Sequence, residues 1–129
     1  MKNILIVDDH PLVRLAVENS VIRIIQPSQT HTAGTFKEAM QVLGYQYMNL
    51  VILDLGIPGG LGVEMISQIK SLQNEARILV YSGRNEMGHA TSYMAAGANG
   101  FLNKNAAEIE FEFAINTVLN NKKYVGKKV

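Results

Sequence analysis

The 129 residues make one domain's worth of chain, and 47% hydrophobic residues suffice for an ordinary core. Twelve basic against eleven acidic residues leave a net charge of +1, so neither a basic field for nucleic acid nor an acidic tail is present, although Lys122, Lys123, Lys127 and Lys128 crowd the end. The lack of cysteine excludes disulfides, thiol catalysis and zinc–thiolate sites; with no signal-peptide-like run and no apolar stretch near membrane-span length, a cytoplasmic protein without a membrane role is expected.

Ile4-Leu5-Ile6-Val7 is an uninterrupted apolar run that ends in Asp8 and Asp9, the pattern of a strand covered on both faces. From Pro11 to Ile25 apolar residues recur at helical spacing. Val13, Ala16, Val17, Val21 and Ile24 lie on one side and Leu12, Leu15, Ile22 and Ile25 on another, and Gln26-Pro27-Ser28 ends the helix. A short strand is expected over Thr30–Ala33. Thr35-Phe36-Lys37-Glu38 then has the form of a capping box, opening a helix that carries Phe36, Ala39, Met40 and Leu43 to Gly44.

Leu50–Leu53 predicts the central buried strand and delivers Asp54 to its carboxyl end, because Leu55-Gly56-Ile57-Pro58-Gly59-Gly60 cannot continue a strand. Gly59, Gly60 and Gly62 lead into a helix with Val63, Ile66 and Ile69 on its buried face. Arg77–Tyr81 is the next strand, ending at Ser82-Gly83, and a helix through Ala90, Tyr93 and Met94 stops at Gly97. Gly100–Asn103 is a short last strand reaching Lys104. A final helix over Ala106–Asn121 buries Phe111, Ala114, Ile115 and Val118. This alternation predicts an α/β fold: a doubly wound, five-stranded parallel sheet with five helices in three layers.

On that sheet Asp8 and Asp9, Asp54, Ser82 and Lys104 all reach the carboxyl edge, where open α/β sheets bind ligands. Each has a plainer use: Asp8 and Asp9 as a helix start, Ser82 as a turn residue, Lys104 as a solvated surface lysine. Together they read as a site. Three converging carboxylates repel one another unless neutralised, and an oxygen-only ligand set favours Mg2+. A metal, a carboxylate, an ammonium and a hydroxyl suit phosphoryl transfer to an aspartate, with Lys104 neutralising charge and Ser82 donating a hydrogen bond.

The residues Ile4 to Asp9, Leu50 to Asp54 with Pro58-Gly59, Ser82 and Lys104 resemble, over essentially the whole chain, the receiver domain of two-component response regulators. The resemblance implies a flavodoxin-like (CheY-like) fold with Asp54 as phosphoacceptor. It implies magnesium on Asp9, Asp54 and the Gly56 carbonyl, with Asp8 acting through water, and a switch pair of Ser82 and Phe101, the latter turning inward as Ser82 moves toward the phosphoryl group. Lys104 falls on the family's lysine. Where the family usually has Pro after it, Asn105 stands here, which argues against a cis bond costing about 2.5 to 4 kcal/mol. Gly56 and Arg84 flank the site and are placed to tune the lifetime of the phosphoryl group.

Asp8-Asp9-His10-Pro11-Leu12-Val13-Arg14 and Asn121-Lys122-Lys123-Tyr124-Val125-Gly126 further resemble the NarL/LuxR-type subgroup. That implies a receiver over residues 1–121 and, from 122 to 129, the start of a linker to a C-terminal helix-turn-helix domain absent from these residues, through which alone DNA would be bound. The implied partner is a sensor histidine kinase; a stand-alone receiver is the alternative. His10 has the chemistry of a catalytic base or metal ligand, but it is read as a helix-start residue because the subgroup resemblance explains it and oxygen ligands suffice. A phosphatase is disfavoured because the acid such enzymes place two residues after the nucleophile is replaced by Gly56. A nucleotide-binding module is disfavoured too, since residues 56–62 fit neither Gly-x-Gly-x-x-Gly nor a Walker A motif. Finally, Ile109 and Phe113 fall opposite the buried face of the last helix, and Leu15 and Ile22 are displaced from that of the first. If the two helices are neighbours, these four residues form a dimer face.

Overall fold

The computed structural model describes residues 1–83 and 89–126, so Arg84, Lys127 and Lys128 lie outside the described residues. In chain order the elements are β1 (Lys2–Val7), α1 (Pro11–Ile24), β2 (Ser28–Ala33), α2 (Phe36–Leu43), β3 (Leu50–Leu53), α3 (Glu64–Leu72), β4 (Arg77–Ser82), α4 (Ala90–Ala96), β5 (Gly100–Asn103), α5 (Glu108–Leu119) and β6 (Tyr124–Val125). All strand pairs are parallel, in the order β2-β1-β3-β4-β5-β6. The doubly wound α/β sheet with five helices is therefore as expected, with one addition. Tyr124 and Val125, in the stretch expected to begin a linker, pair with Gly100 and Phe101 at the sheet's end.

Strand residues alternate between two cores, as the period of two requires. Leu5, Val7, Val51, Leu53, Ile78, Val80 and Phe101 pack with α2, α3 and α4. Ile4, Ile6, Leu50, Ile52, Leu79 and Leu102 pack with α1 and α5 through Val17, Val21, Phe111, Ala114, Ile115 and Val118. Burial on both faces explains why these strands read as unbroken apolar runs. The capping box at Thr35 and Glu38 forms with both reciprocal bonds.

Three local expectations differ. Val63 is exposed because it precedes the first helical residue, and Met65 joins Ile66 and Ile69 on the buried face of α3. At the end of α1 it is Ile25, just past the helix, that is buried, while Ile24 is half-covered. The last helix stops at Leu119 because Asn121 adopts a left-handed conformation (φ 65°), which an α-helix cannot continue.

Gly100 shows how closely the sheet meets α5. A Cβ there would stand 2.8 Å from Leu79 Cδ1 and 2.9 Å from Val118 Cγ2. Gly100→Val is expected to destabilise the domain by about 1 to 3 kcal/mol through overpacking, measured as the shift of a urea unfolding midpoint.

Candidate functional site

The chain leaves β1 toward β2 on one side and returns to β3 on the other, so the carboxyl ends of β1 and β3 flank the point where strand order reverses. Backbone bonds set the acids there: Asp8 N donates to Ala33 O at 3.0 Å and Asp54 N to Val7 O at 2.9 Å. Asp8, Asp54 and Ser82 are buried, and Lys104 is half-buried over them. Lys104 Nζ lies 2.7 Å from Asp8 Oδ2 and 3.1 Å from Asp54 Oδ2. Asp54 Oδ1 accepts from Gly56 N at 3.3 Å and, at the outer limit of a hydrogen bond, from Ser82 Oγ at 3.5 Å. With Asp9, whose carboxylate lies within 4.8 Å of those of Asp8 and Asp54, all five residues expected at the carboxyl edge are brought together.

The charges hold one another in the ionised state. Burial raises the Asp8 pKa, but the Lys104 ammonium and the His10 backbone N–H outweigh it, and the net position is below the usual carboxylate range. For Lys104 burial again opposes the charge. Hydrogen bonds and attraction from Asp8 and Asp54 overcome it and raise the ammonium's pKa.

Whether the acids fit a divalent cation is answered by Asp9. Its Oδ1 is buried and accepts no hydrogen bond, a cost a cation would remove. Single donor atoms of Asp8, Asp9, His10 and Asp54 lie within 4.8 Å of one another. The three carboxylates offer the oxygen atoms that a hard divalent cation takes as ligands.

The Phe101 ring is fully buried, 5.8 Å from the Tyr93 ring between centroids, which is the inward position expected of it after the switch. Two further residues stand at the site, His10, read as a helix start in preference to a ligand, and Asn103, which was not singled out. His10 Nδ1 stands 3.1 Å from both Asp8 Oδ1 and Asp9 Oδ1. Asn103 Oδ1 accepts from Asn105 N at 2.7 Å, while Ala106 N donates to Asn103 O at 3.0 Å, so a side-chain-braced turn aims Lys104 where Pro usually follows. The Asn-x-Asn pattern carried that signal. Among the described residues the one cis peptide bond precedes Pro27, and none follows Lys104.

Away from the site, α1 and α5 are neighbours. Arg23 pairs with Glu108, and Ser20 Oγ donates to Glu108 Oε1 at 3.2 Å. Leu15, Ile22, Ile109 and Phe113 are all exposed, Ile109 by 80% and Phe113 by 62%. Phe113 lies edge-on to the Tyr124 ring, whose hydroxyl donates to Glu110 Oε2 at 2.5 Å.

Comparison with known proteins agrees with this geometry. The family model for the response regulator receiver domain matches residues 4–116. The chain is 33% identical over 122 residues to the transcriptional activator protein ExaE of Pseudomonas putida, covering 95% of this chain and 57% of that protein. It is 28% identical to the response regulator UvrY of Escherichia coli, covering 100% of this chain and 59% of that protein. It therefore spans less than two thirds of the length of these relatives. A crystal structure of a LuxR-family two-component response regulator from an Aurantimonas species superposes with a TM-score of 0.84 at 28% identity, over 95% of this chain and 87% of that one.

Proposed function

Because this chain belongs to the response regulator receiver domain family, we propose that Asp54 accepts a phosphoryl group from the phosphohistidine of a sensor histidine kinase. The observation that carries this reading is the buried Asp54 carboxylate at the strand-reversal point, held between Lys104 Nζ, Ser82 Oγ and Gly56 N. An Asp54 oxygen attacks phosphorus as the donor's P–N bond breaks, and that bond's electron pair leaves with the imidazole, so the product is an acyl phosphate. Magnesium supplies neutralisation of the phosphoryl oxygens when bound by Asp9, Asp54 and the Gly56 carbonyl, with Asp8 acting through water. Lys104, now shared between two carboxylates, turns to the added oxygens, and Ser82 donates to one of them.

The switch is carried by Ser82 and Phe101, with Lys104 coupling the phosphoryl group to it. Ser82 and Lys104 sit at the ends of paired strands, with Ser82 opposite Asn103, and phosphorylation shifts β4 and β5 with the helices that follow them. With Gly56 where a phosphatase places its second acid, the acyl phosphate persists as a signal, and the chain is no enzyme. The likeness to the transcriptional activator protein ExaE supports a transcription regulator, and the resemblance of residues 8–14 and 121–126 to the NarL/LuxR-type subgroup assigns its DNA contacts to a helix-turn-helix domain following a cytoplasmic receiver; the second reading is a stand-alone receiver. Among the described residues no helix is long and apolar enough to cross a membrane. The test is incubation with a small acyl-phosphate donor and magnesium. One hydroxylamine-labile phosphoryl group on Asp54 is expected, and a stable adduct on Ser82 would refute the reading.

The exposed residues of α1 and α5 support a two-fold dimer strengthened by phosphorylation, since two-fold DNA sites match dimeric regulators. Leu15→Glu combined with Phe113→Glu is expected to abolish it by placing like charges at the seam. Sedimentation equilibrium of the phosphorylated domain checks this. A double variant that dimerises like the parent would assign the patch elsewhere.

A further inference from the structure

His10 stands at the N-terminal boundary of α1, yet its side chain makes no capping hydrogen bond there. The imidazole instead turns back over the acids. Nδ1 lies within hydrogen-bond reach of Asp8 Oδ1 at 3.1 Å and equally close to Asp9 Oδ1, but the latter, though buried, accepts no hydrogen bond from it. A hydrogen bond to Asp8 thus leaves Asp9 unserved. A cation held between Nδ1 and Asp9 Oδ1 would serve both.

The distances fit that arrangement. Neighbouring ligands of an octahedral ion with bonds of about 2.1 Å stand about 3 Å apart, and the 3.1 Å from Nδ1 to Asp9 Oδ1 matches such an edge. The exposed ring leaves Nε2 able to keep the proton while Nδ1 offers its lone pair. Asp8 Oδ2 is occupied by Lys104, so Oδ1 is the oxygen left toward His10.

We propose that His10 is itself a ligand of the cation site, through Nδ1, making it a mixed nitrogen–oxygen site that holds Mn2+, Co2+ or Ni2+ more tightly than the carboxylates alone would. Imidazole favours the later first-row cations, whereas an oxygen-only set suits magnesium. The inference rests on the reading that Asp9 and Asp54 hold a divalent cation.

The experiment loads the native chain and His10→Ala with Mn2+ and records electron spin-echo modulation, and in parallel titrates Ni2+ and Mg2+ by calorimetry. Directly bound nitrogen is expected in the native chain and absent from the variant. Ni2+ affinity should fall at least about tenfold, a loss that even indirect metal partners produce, while Mg2+ affinity is unchanged. Mn2+ bound without nitrogen coupling, or equal Ni2+ affinity in the two chains, overturns the role of His10 and leaves the cation site standing. If no divalent cation binds the native chain, the site itself is overturned.

Discussion

Asp54→Asn is expected to take up no phosphoryl group from any donor while retaining the fold. The substitution keeps the size of the side chain and an oxygen able to accept from Gly56 N and Ser82 Oγ, so the local turn survives. It removes the nucleophile, since a carboxamide oxygen forms no stable acyl phosphate. Intact-mass measurement after incubation with an acyl-phosphate donor and magnesium checks the result. Labelling of the variant at the parent's level would move the acceptor elsewhere, with Asp8 and Asp9 the nearest carboxylates.

The second large effect concerns stability. Lys104→Met is expected to cost about 3 kcal/mol without metal, because two buried carboxylates lose their shared counter-charge. Magnesium should restore part of the loss. The pH profile identifies the cause. Asp8, with its pKa lowered from 3.8, contributes stability that is present above that value and lost as pH falls through the folded pKa. Lys104, raised from 10.5, contributes stability that is present below that value and lost as pH rises through its folded pKa. In Lys104→Met the alkaline loss from this residue should vanish, while protonating the carboxylates should now stabilise the fold. Urea unfolding across pH checks both limbs. Phosphoryl uptake should persist in the variant, since Lys104 does not attack phosphorus.

The acids were legible in the sequence because β1 and β3 are buried on both faces. Such strands appear as apolar runs whose first carboxylate marks their end, so Asp8 and Asp54 were placed at the edge by pattern alone. Their convergence with Ser82 and Lys104 followed from parallel topology. What escaped depends on non-local partners. β6 is two residues long and is a strand only because Gly100 and Phe101 stand opposite it. Period-based reading placed Val63 within α3, whereas the helix begins one residue later. The inward position of Phe101, on β5, lays its ring against that of Tyr93 on α4. His10 was read from its place at the head of α1, but its side chain points back to the carboxylates, and no helical pattern reports that direction.

Titration of the native chain with beryllofluoride and magnesium, followed by amide NMR, tests the central claim most directly. Saturable perturbations centred on Asp54, Gly56, Ser82 and Lys104, beyond those that magnesium alone produces, are expected only when both are present, because the fluoride complex takes the phosphoryl position on Asp54 and needs the cation beside it. An unchanged spectrum, or the same perturbations without magnesium, would contradict the assignment of Asp54 as a cation-assisted phosphoacceptor.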